Sequence, residues 1–283
     1  MRNKRIVIVL VILIGILSIL SSLFGILSSN GDGSYLYETI RGEEVLIYGK
    51  GIYRHMSKEV AIQGIAQDYV TLFIGIPVLL ISLIFTIKKS LSARYVLTGT
   101  IGYFLLTYLF YLIMGMYNEL FLVYAILMGT SFFALVLLLL SFDINVVITK
   151  FKNVKLKFSG IFLVFNSLAI GLLWLSVVVT PLLNGDIYPI ELEHYTTLIV
   201  QGMDLGLLLP LSFISGLLLL KKEKLGFLVG PIYLVFLTIL MTALSAKVIY
   251  MGIEGYEIIP AIFIMPIFAI VSCLLSFLSL QKL

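Results

Sequence analysis

Four polar residues in the sixth long apolar stretch have the spacing of a single helix face. They are His194, Thr197, Gln201 and Asp204, at successive steps of three, four and three residues. Residues three or four apart lie on the same side of an α-helix, so the sequence predicts a polar stripe. A carboxylate inside a bilayer is costly unless it is paired, protonated or hydrated. Asp204 is therefore the candidate for binding a cation or a proton.

The second apolar stretch has a similar arrangement. Gln67 and Asp68 lie at its start and Pro77 within it, while Pro210 follows Asp204. A proline inside a helix releases a backbone carbonyl and allows a kink, and interrupted helices are typical of solute sites in transporters. We predict a polar cavity between the second and sixth helices; the alternative for Asp68 is headgroup water at the interface. The predicted ligand- or ion-binding residues are Asp204, Gln201, Asp68, His194 and Gln67.

Metal and nucleophile chemistry has no supporting motif. His55 and His194 could join nearby acids in a metal site, but they are far apart in sequence and no HExxH pattern occurs. The single cysteine, Cys273, excludes an intramolecular disulfide and a Cys/His zinc site. Neither GxSxG nor GxxxxGK[ST] occurs. We predict no metal and no cofactor.

The composition indicates the solvent that surrounds these residues. Of the 283 residues, 61% are hydrophobic and 12% are charged, and the mean hydropathy is +1.15. Soluble globular domains are about half apolar and about a quarter charged. The sequence therefore predicts a polytopic membrane protein and leaves too little polar chain for a separate soluble enzyme domain.

Eight apolar stretches reach the length of about 20 residues that a membrane-spanning helix needs. In lipid each backbone group must find its hydrogen-bond partner within its own segment, so these stretches predict an all-α transmembrane bundle forming one domain, 1–283. The predicted spans are 6–28, 69–87, 95–114, 120–142, 158–183, 195–220, 225–246 and 258–280.

Basic residues are distributed unevenly between the predicted loops. One side has 14 of the 19 Lys and Arg residues, namely Arg2, Lys4, Arg5, Lys88, Lys89, Arg94, Lys150, Lys152, Lys155, Lys157, Lys221, Lys222, Lys224 and Lys282. The other side has twelve acids and only Arg41, Lys50, Arg54, Lys58 and Lys247. Positive loops stay in the cytoplasm, so both termini are predicted inside a cell membrane, with the first helix an uncleaved anchor. The pI of about 9.0 then reflects contact with the lipid bilayer, and no nucleic-acid partner is predicted.

The one long loop, 29–68, is predicted to form a folded cap outside the membrane. Its segment EVLIYGKGIYR has strand-forming residues on either side of Gly-Lys-Gly, typical of a short hairpin. Ser57 suits a helix N-cap, so the second helix is predicted to begin beside it. Loops of this length are usually functional.

An alignment of the second and sixth helices on Pro77 and Pro210 also aligns an Ile-Ser pair and a terminal Lys-Lys pair. This pattern favours a parallel repeat of four plus four helices, as found in some transporters. The alternative is chance similarity between leucine-rich segments.

The third helix has a second polar face. Gly99, Tyr103, Thr107 and Tyr111 follow at steps of four residues, which suits either the lining of a pore or helix packing through small and hydroxyl residues. The segment QDYVTLFIGIP at 67–77, with the GKGIY loop at 49–53, resembles multi-pass membrane proteins of prokaryotes. That resemblance implies no activity.

Three functions stay open from the sequence. The first expectation is a small-solute or ion permease with an outward-facing cavity. One alternative is a membrane-embedded enzyme at the outer face, with His194, Asp68 and Asp204 as acid, base or metal ligands. The other is a sensor or assembly partner that uses the 29–68 loop. Homo-oligomer formation and a partner membrane protein are also open.

Overall fold

The computed structural model describes residues 3–186 and 188–283; Arg2, one of the 14 basic residues on the predicted cytoplasmic side, lies outside them. The described chain is helical except for two short strands. As predicted, eight helices are long and apolar enough to cross a membrane, and the chain is a multi-pass integral membrane protein. With the short helix α5, they are α1 (Lys4–Leu27), α2 (Lys58–Ile87), α3 (Leu91–Ile113), α4 (Phe121–Leu139), α5 (Ile144–Phe151), α6 (Lys157–Asn184), α7 (Ile199–Leu220), α8 (Lys224–Ile253) and α9 (Ala261–Leu280).

The helix contacts fall into two sets. Helices α1 and α3 each pack against α2 and α4, whereas α7 packs against α6 and α8, and α8 packs against α9. The two sets meet where α8 contacts α2 and α3. Gly99 permits this close approach, since a Cβ there would lie 2.7 Å from Val235 Cβ. Helices α3 and α8 are therefore the most buried, while α6 and α9 present most of their apolar surface to lipid.

Helices α2 and α7 share an interruption in their backbone hydrogen bonding. Each contains a five-residue π turn, at Thr71–Gly75 in α2 and Asp204–Leu208 in α7. Pro77 and Pro210 follow these turns at the same distance. Because proline has no N–H and its ring crowds the preceding turn, the wider π turn accommodates it without breaking the helix.

Residues 28–57 form the cap, which lies over one end of the bundle. In it, β1 (Tyr35–Glu38) pairs antiparallel with β2 (Glu44–Ile47). The predicted hairpin around Gly-Lys-Gly is therefore wrong in its second strand, because Gly51–Tyr53 forms a 3-10 helix. Gly51 has a φ of 58°, a left-handed conformation that turns the chain out of the strand direction.

Two helices begin beside the cap, α2 at the predicted place and α7 later than predicted. The prediction that Ser57 caps α2 is confirmed, since its side chain accepts a hydrogen bond from a backbone N–H of the first turn. In contrast, α7 begins only at Ile199, so the prediction that His194 and Thr197 lie on its face is wrong. The chain before α7 is held by Arg41 of the cap, which binds carbonyls that a helix would otherwise use.

Candidate functional site

A cavity of about 240 Å³ lies among α2, α3, α6, α7 and α8. Most of its lining side chains are apolar, including Leu106, Phe110 and Leu237. Tyr53 and Met56 extend the lining into the cap. Pockets for drug-sized ligands usually have volumes of about 300–1,000 Å³, so this cavity suits a smaller molecule.

Asp204 is the acid on the cavity wall. It is the first residue of the π turn in α7 and is half-buried. Trp174 of α6, which also lines the cavity, donates its indole N–H to Asp204 Oδ2 at 2.6 Å. This bond orients the carboxylate and leaves acceptor capacity on its other oxygen.

Lys247 brings a positive charge to the same cavity. The assignment of Lys247 to an outer loop is wrong, because α8 continues to Ile253. The long apolar stem of a lysine can pack along apolar side chains of the helix while its charged end reaches a polar environment. Among the residues that the structure describes, Lys247 forms no ion pair. Asp204 and Lys247 thus face the cavity as separate charges.

Gln67 joins α2 to α3 at the cavity wall. Its amide N–H groups donate to the Tyr103 hydroxyl at 2.8 Å and to Thr107 Oγ1 at 3.0 Å. The Thr71 hydroxyl, in the π turn of α2, shares a hydrogen bond of 2.8 Å with the same tyrosine. Thr107 and Tyr111 line the cavity, whereas Tyr103 is fully buried between helices. Part of the polar face of α3 therefore lines the cavity, and part of it packs against α2.

Two more polar groups lie on the cavity wall. Tyr233 of α8 donates its hydroxyl to the Leu208 carbonyl at 2.8 Å, which satisfies a carbonyl of the π turn. Asn166 of α6 is 1% exposed, and its Oδ1 has no hydrogen-bond partner within the described part of the chain. Buried polar atoms are rarely left without partners, so this oxygen is an acceptor available to a ligand.

Asp68 lies neither in headgroup water nor on the cavity wall. It is 1% exposed, and its carboxylate accepts hydrogen bonds from Tyr53 at 2.5 Å and Tyr111 at 3.0 Å. Both tyrosines line the cavity and separate Asp68 from it. Burial raises the pKa of the Tyr53 phenol well above its usual range, and the nearby carboxylate adds to this effect. Tyr53 therefore stays neutral and remains a hydrogen-bond donor.

Gln201 and His194 also lie outside the cavity lining. Gln201 is a half-buried residue of the first turn of α7. His194 lies before α7, and its Nε2–H donates to the His55 carbonyl in the cap at 3.0 Å. Its Nδ1 is buried and has no partner among residues 3–186 and 188–283. Burial lowers the pKa of His194 from 6.5, because a charged ring loses its hydration there, and the nearby charge of Arg41 lowers it further.

The segment 190–195 is fastened to the cap by several hydrogen bonds. Arg41 donates to the Glu193 carbonyl and, at 3.1 Å, to the Tyr195 carbonyl. The Ser57 hydroxyl donates to the Glu193 carboxylate at 2.5 Å. Burial raises the pKa of Glu193, and the Ser57 bond only partly offsets this effect. These bonds hold the cap and the chain leading into α7 together at the capped end of the cavity.

The three side chains of the enzyme alternative occupy three different places. His194 binds the cap, Asp68 lies behind two tyrosines and Asp204 lines the cavity. In the described residues, no group of three or more His, Cys, Asp and Glu side chains could hold a metal ion. These three residues therefore form neither a catalytic triad nor a set of metal ligands.

Lys247, Trp174 and Asn166 are cavity residues that the sequence analysis did not assign to the site. Trp174 is the single tryptophan, and Asn166 is an amide inside an apolar stretch. Those two could have been found by searching each span for polar atoms. Lys247 could not, because it directly follows the apolar stretch that ends at 246.

Comparison of the chain with protein-family models, with curated proteins and with solved structures finds no match. The function of the cavity is therefore inferred from its own geometry and charges.

Proposed function

We propose that this protein is a permease for small solutes that carry a positive and a negative group on an apolar body. One observation carries the proposal: Asp204 and Lys247 line the same, largely apolar cavity. A charge within a membrane-spanning segment is costly and usually has a functional role. Two opposite charges that do not pair with each other are complementary to a ligand that presents both.

The rest of the cavity limits the class of solute further. Its volume of about 240 Å³ suits a molecule about the size of an amino acid. Asn166 offers an acceptor for an N–H group of the ligand, and the apolar lining favours an apolar side group. A zwitterion with an aliphatic or aromatic side group fits all three features.

The parallel repeat is part of this proposal. The π turns of α2 and α7, the prolines that follow them and the C-terminal ends of the two helices are all offset by the same number of residues. The ends are alike in detail, since Lys89 and Lys222 both adopt positive φ, at 68° and 56°. Transporters with repeats bind solutes at the interface between the repeats. Helices α2 and α3 from the first four spans and α6, α7 and α8 from the second four enclose the cavity, as such a site requires.

We further propose that the cap faces the outside of a cell membrane and that the cavity opens outward beneath it. The support is the distribution of Lys and Arg, which places the basic loops at the end of the bundle opposite the cap. The anionic lipids of the cytoplasmic leaflet would attract those loops.

The proposal is tested with purified protein and a matched ligand panel. The panel contains apolar amino acids, the corresponding amines without the carboxylate, and the corresponding acids without the amine. Binding is measured as a rise in melting temperature, and uptake is measured with radiolabelled ligands in proteoliposomes. We expect the zwitterions to bind best, because each single-charge analogue leaves Asp204 or Lys247 without its partner.

Two substitutions should each remove one part of the preference for zwitterions. Asp204→Asn should weaken zwitterion binding by about tenfold to a hundredfold and remove the advantage over the acids. Lys247→Met should remove the advantage over the amines. Asp32→Asn and Lys224→Met, which change exposed charges, are the controls and should retain wild-type uptake. Uptake by Asp204→Asn at the wild-type rate would refute the proposal.

A further inference from the structure

Helix α1 presents a stripe of small residues to the buried carboxylate of Asp68. Ser18, Ser21, Ser22 and Gly25 follow at helical spacing, and all four are buried. The Ser22 hydroxyl lies beside the Asp68 carboxylate. Gly25 leaves the space that this carboxylate occupies, since a Cβ there would lie 1.7 Å from Asp68 Oδ2. This region is separate from the cavity that contains Asp204.

Several hydroxyls around this stripe have no hydrogen-bond partner in the described residues. They belong to Ser18, Ser21, Ser22, Tyr108 and Tyr124, and each residue is at most 1% exposed. Ser18 and Ser21 face the Tyr108 hydroxyl, and Ser21 also faces Tyr124. Buried hydroxyls normally have partners, so this cluster has unused capacity to bind a ligand.

Several other buried hydroxyls of the bundle, though not all of them, are satisfied locally. Thr100 donates to the Val96 carbonyl at 2.8 Å, and Ser272 donates to the Ala269 carbonyl at 3.0 Å. Such bonds to the preceding turn are the usual solution for Ser and Thr in apolar helices. Ser18, Ser21 and Ser22 of α1 form no such bond, so their hydroxyl oxygens are free to face Asp68 and the tyrosines.

The carboxylate of Asp68 also has no cation in contact with it, although the charge of Lys247 in α8 acts on it from a distance. Within the described part of the chain, it forms no ion pair, and its hydrogen-bond donors are the neutral phenols of Tyr53 and Tyr111. A buried carboxylate that is compensated only by neutral donors and a distant charge is unfavourable. A proton on Asp68 would remove the charge and supply one O–H donor, but a single donor leaves most of the hydroxyl oxygens without partners. A cation with oxygen ligands would satisfy both requirements.

We propose that Asp68, Ser21 and Ser22 form a binding site for a sodium ion. One carboxylate with neutral hydroxyls balances a single positive charge, so the site suits a monovalent rather than a divalent cation. Close packing at Gly25 favours sodium over the larger potassium ion. A second cavity, of about 100 Å³, lies beside the cluster, because Tyr111 and Tyr124 line it together with Tyr117 and Asn118. The use of this ion to drive uptake rests on the proposed function, whereas its binding does not.

The site is tested by sodium binding to the purified full-length protein. Melting temperature is measured in sodium, potassium and choline chloride at equal ionic strength, and binding is measured directly with radioactive sodium. We expect sodium alone to raise the melting temperature, because it binds the folded state selectively. Asp68→Asn should abolish this rise. Ser22→Ala should weaken sodium binding by about tenfold or more, the value expected for loss of one contact to a charged ligand.

Ser272→Ala is the matched control, since Ser272 is equally buried but bonds within its own helix. It should retain wild-type sodium affinity. Equal melting temperatures in sodium and choline for the wild type would overturn the proposal, and so would a full sodium response in Asp68→Asn. A stability that changes with pH but not with sodium would identify a proton site and also overturn it. Sodium binding without solute uptake would instead refute the proposed permease and leave this site intact.

Discussion

The hydrogen bond between Trp174 and Asp204 leads to a prediction whose size follows from the structure. The indole N–H lies 2.6 Å from Asp204 Oδ2, as expected for a charge-assisted bond. Such bonds contribute roughly 1.5–3 kcal/mol, compared with about 0.5–1.5 kcal/mol for neutral pairs. Because Asp204 is only half-buried, we expect a value near the lower end, about 1.5–2 kcal/mol.

Trp174→Phe removes the donor but also reduces the size of the ring, so the packing effect must be separated from the hydrogen bond. A double-mutant cycle with Asp204→Leu does this, because the loss of ring volume occurs with and without the carboxylate. The free energy of unfolding is measured by SDS titration followed by circular dichroism. We expect a coupling free energy of about 1.5–2 kcal/mol between the two positions.

A coupling below about 0.5 kcal/mol would refute this reasoning, since distant and independent positions are additive to that level. Phe165→Leu, which alters an exposed aromatic residue on the same helix, is the control and should show no coupling to Asp204. In uptake assays, Trp174→Phe should raise the solute concentration for half-maximal rate more than it lowers the maximal rate. The substitution would change the position of the carboxylate that we propose binds the ligand.

Two further predictions concern the wall of the cavity and its capped end. Gln67→Leu removes both amide bonds to α3 and leaves two buried hydroxyls without that partner, so we expect a loss of about 1–3 kcal/mol in SDS unfolding; unchanged stability would contradict it. The pKa of His194 is lower in the folded protein than in the unfolded chain, so the unfolded chain binds a proton more readily. The neutral ring therefore contributes stability at high pH, and this contribution is lost as pH falls through 6.5 toward the folded pKa. The melting temperature of the wild type should therefore fall relative to that of His194→Gln over this range, and parallel pH profiles would exclude this role.

The eight helices could be predicted because lipid leaves the backbone no alternative partners. The ends of the helices could not be predicted, because contacts between residues far apart in sequence determine where each helix begins and ends. Helix α7 starts late because Arg41 of the cap binds the carbonyls before it, and α8 carries Lys247 past the end of its apolar stretch. The burial of Asp68 likewise depends on Gly25 and Tyr53, and neither is close to it in sequence. Residue types thus indicated which side chains could bind a ligand, whereas tertiary contacts decide which of them face the cavity.

Under the proposed repeat, Thr71 and Asp204 are equivalent, as the first residues of the two π turns. In α2 the turn is filled by side chains, because Thr71 bonds to Tyr103, which Gln67 also binds. In α7 the same position carries an acid and borders the cavity. The turn in α2 begins three residues after Asp68, which lies beside Ser22 of α1. The same kind of helix interruption would then serve two sites, the solute cavity between the two halves of the bundle and the sodium site in the first half.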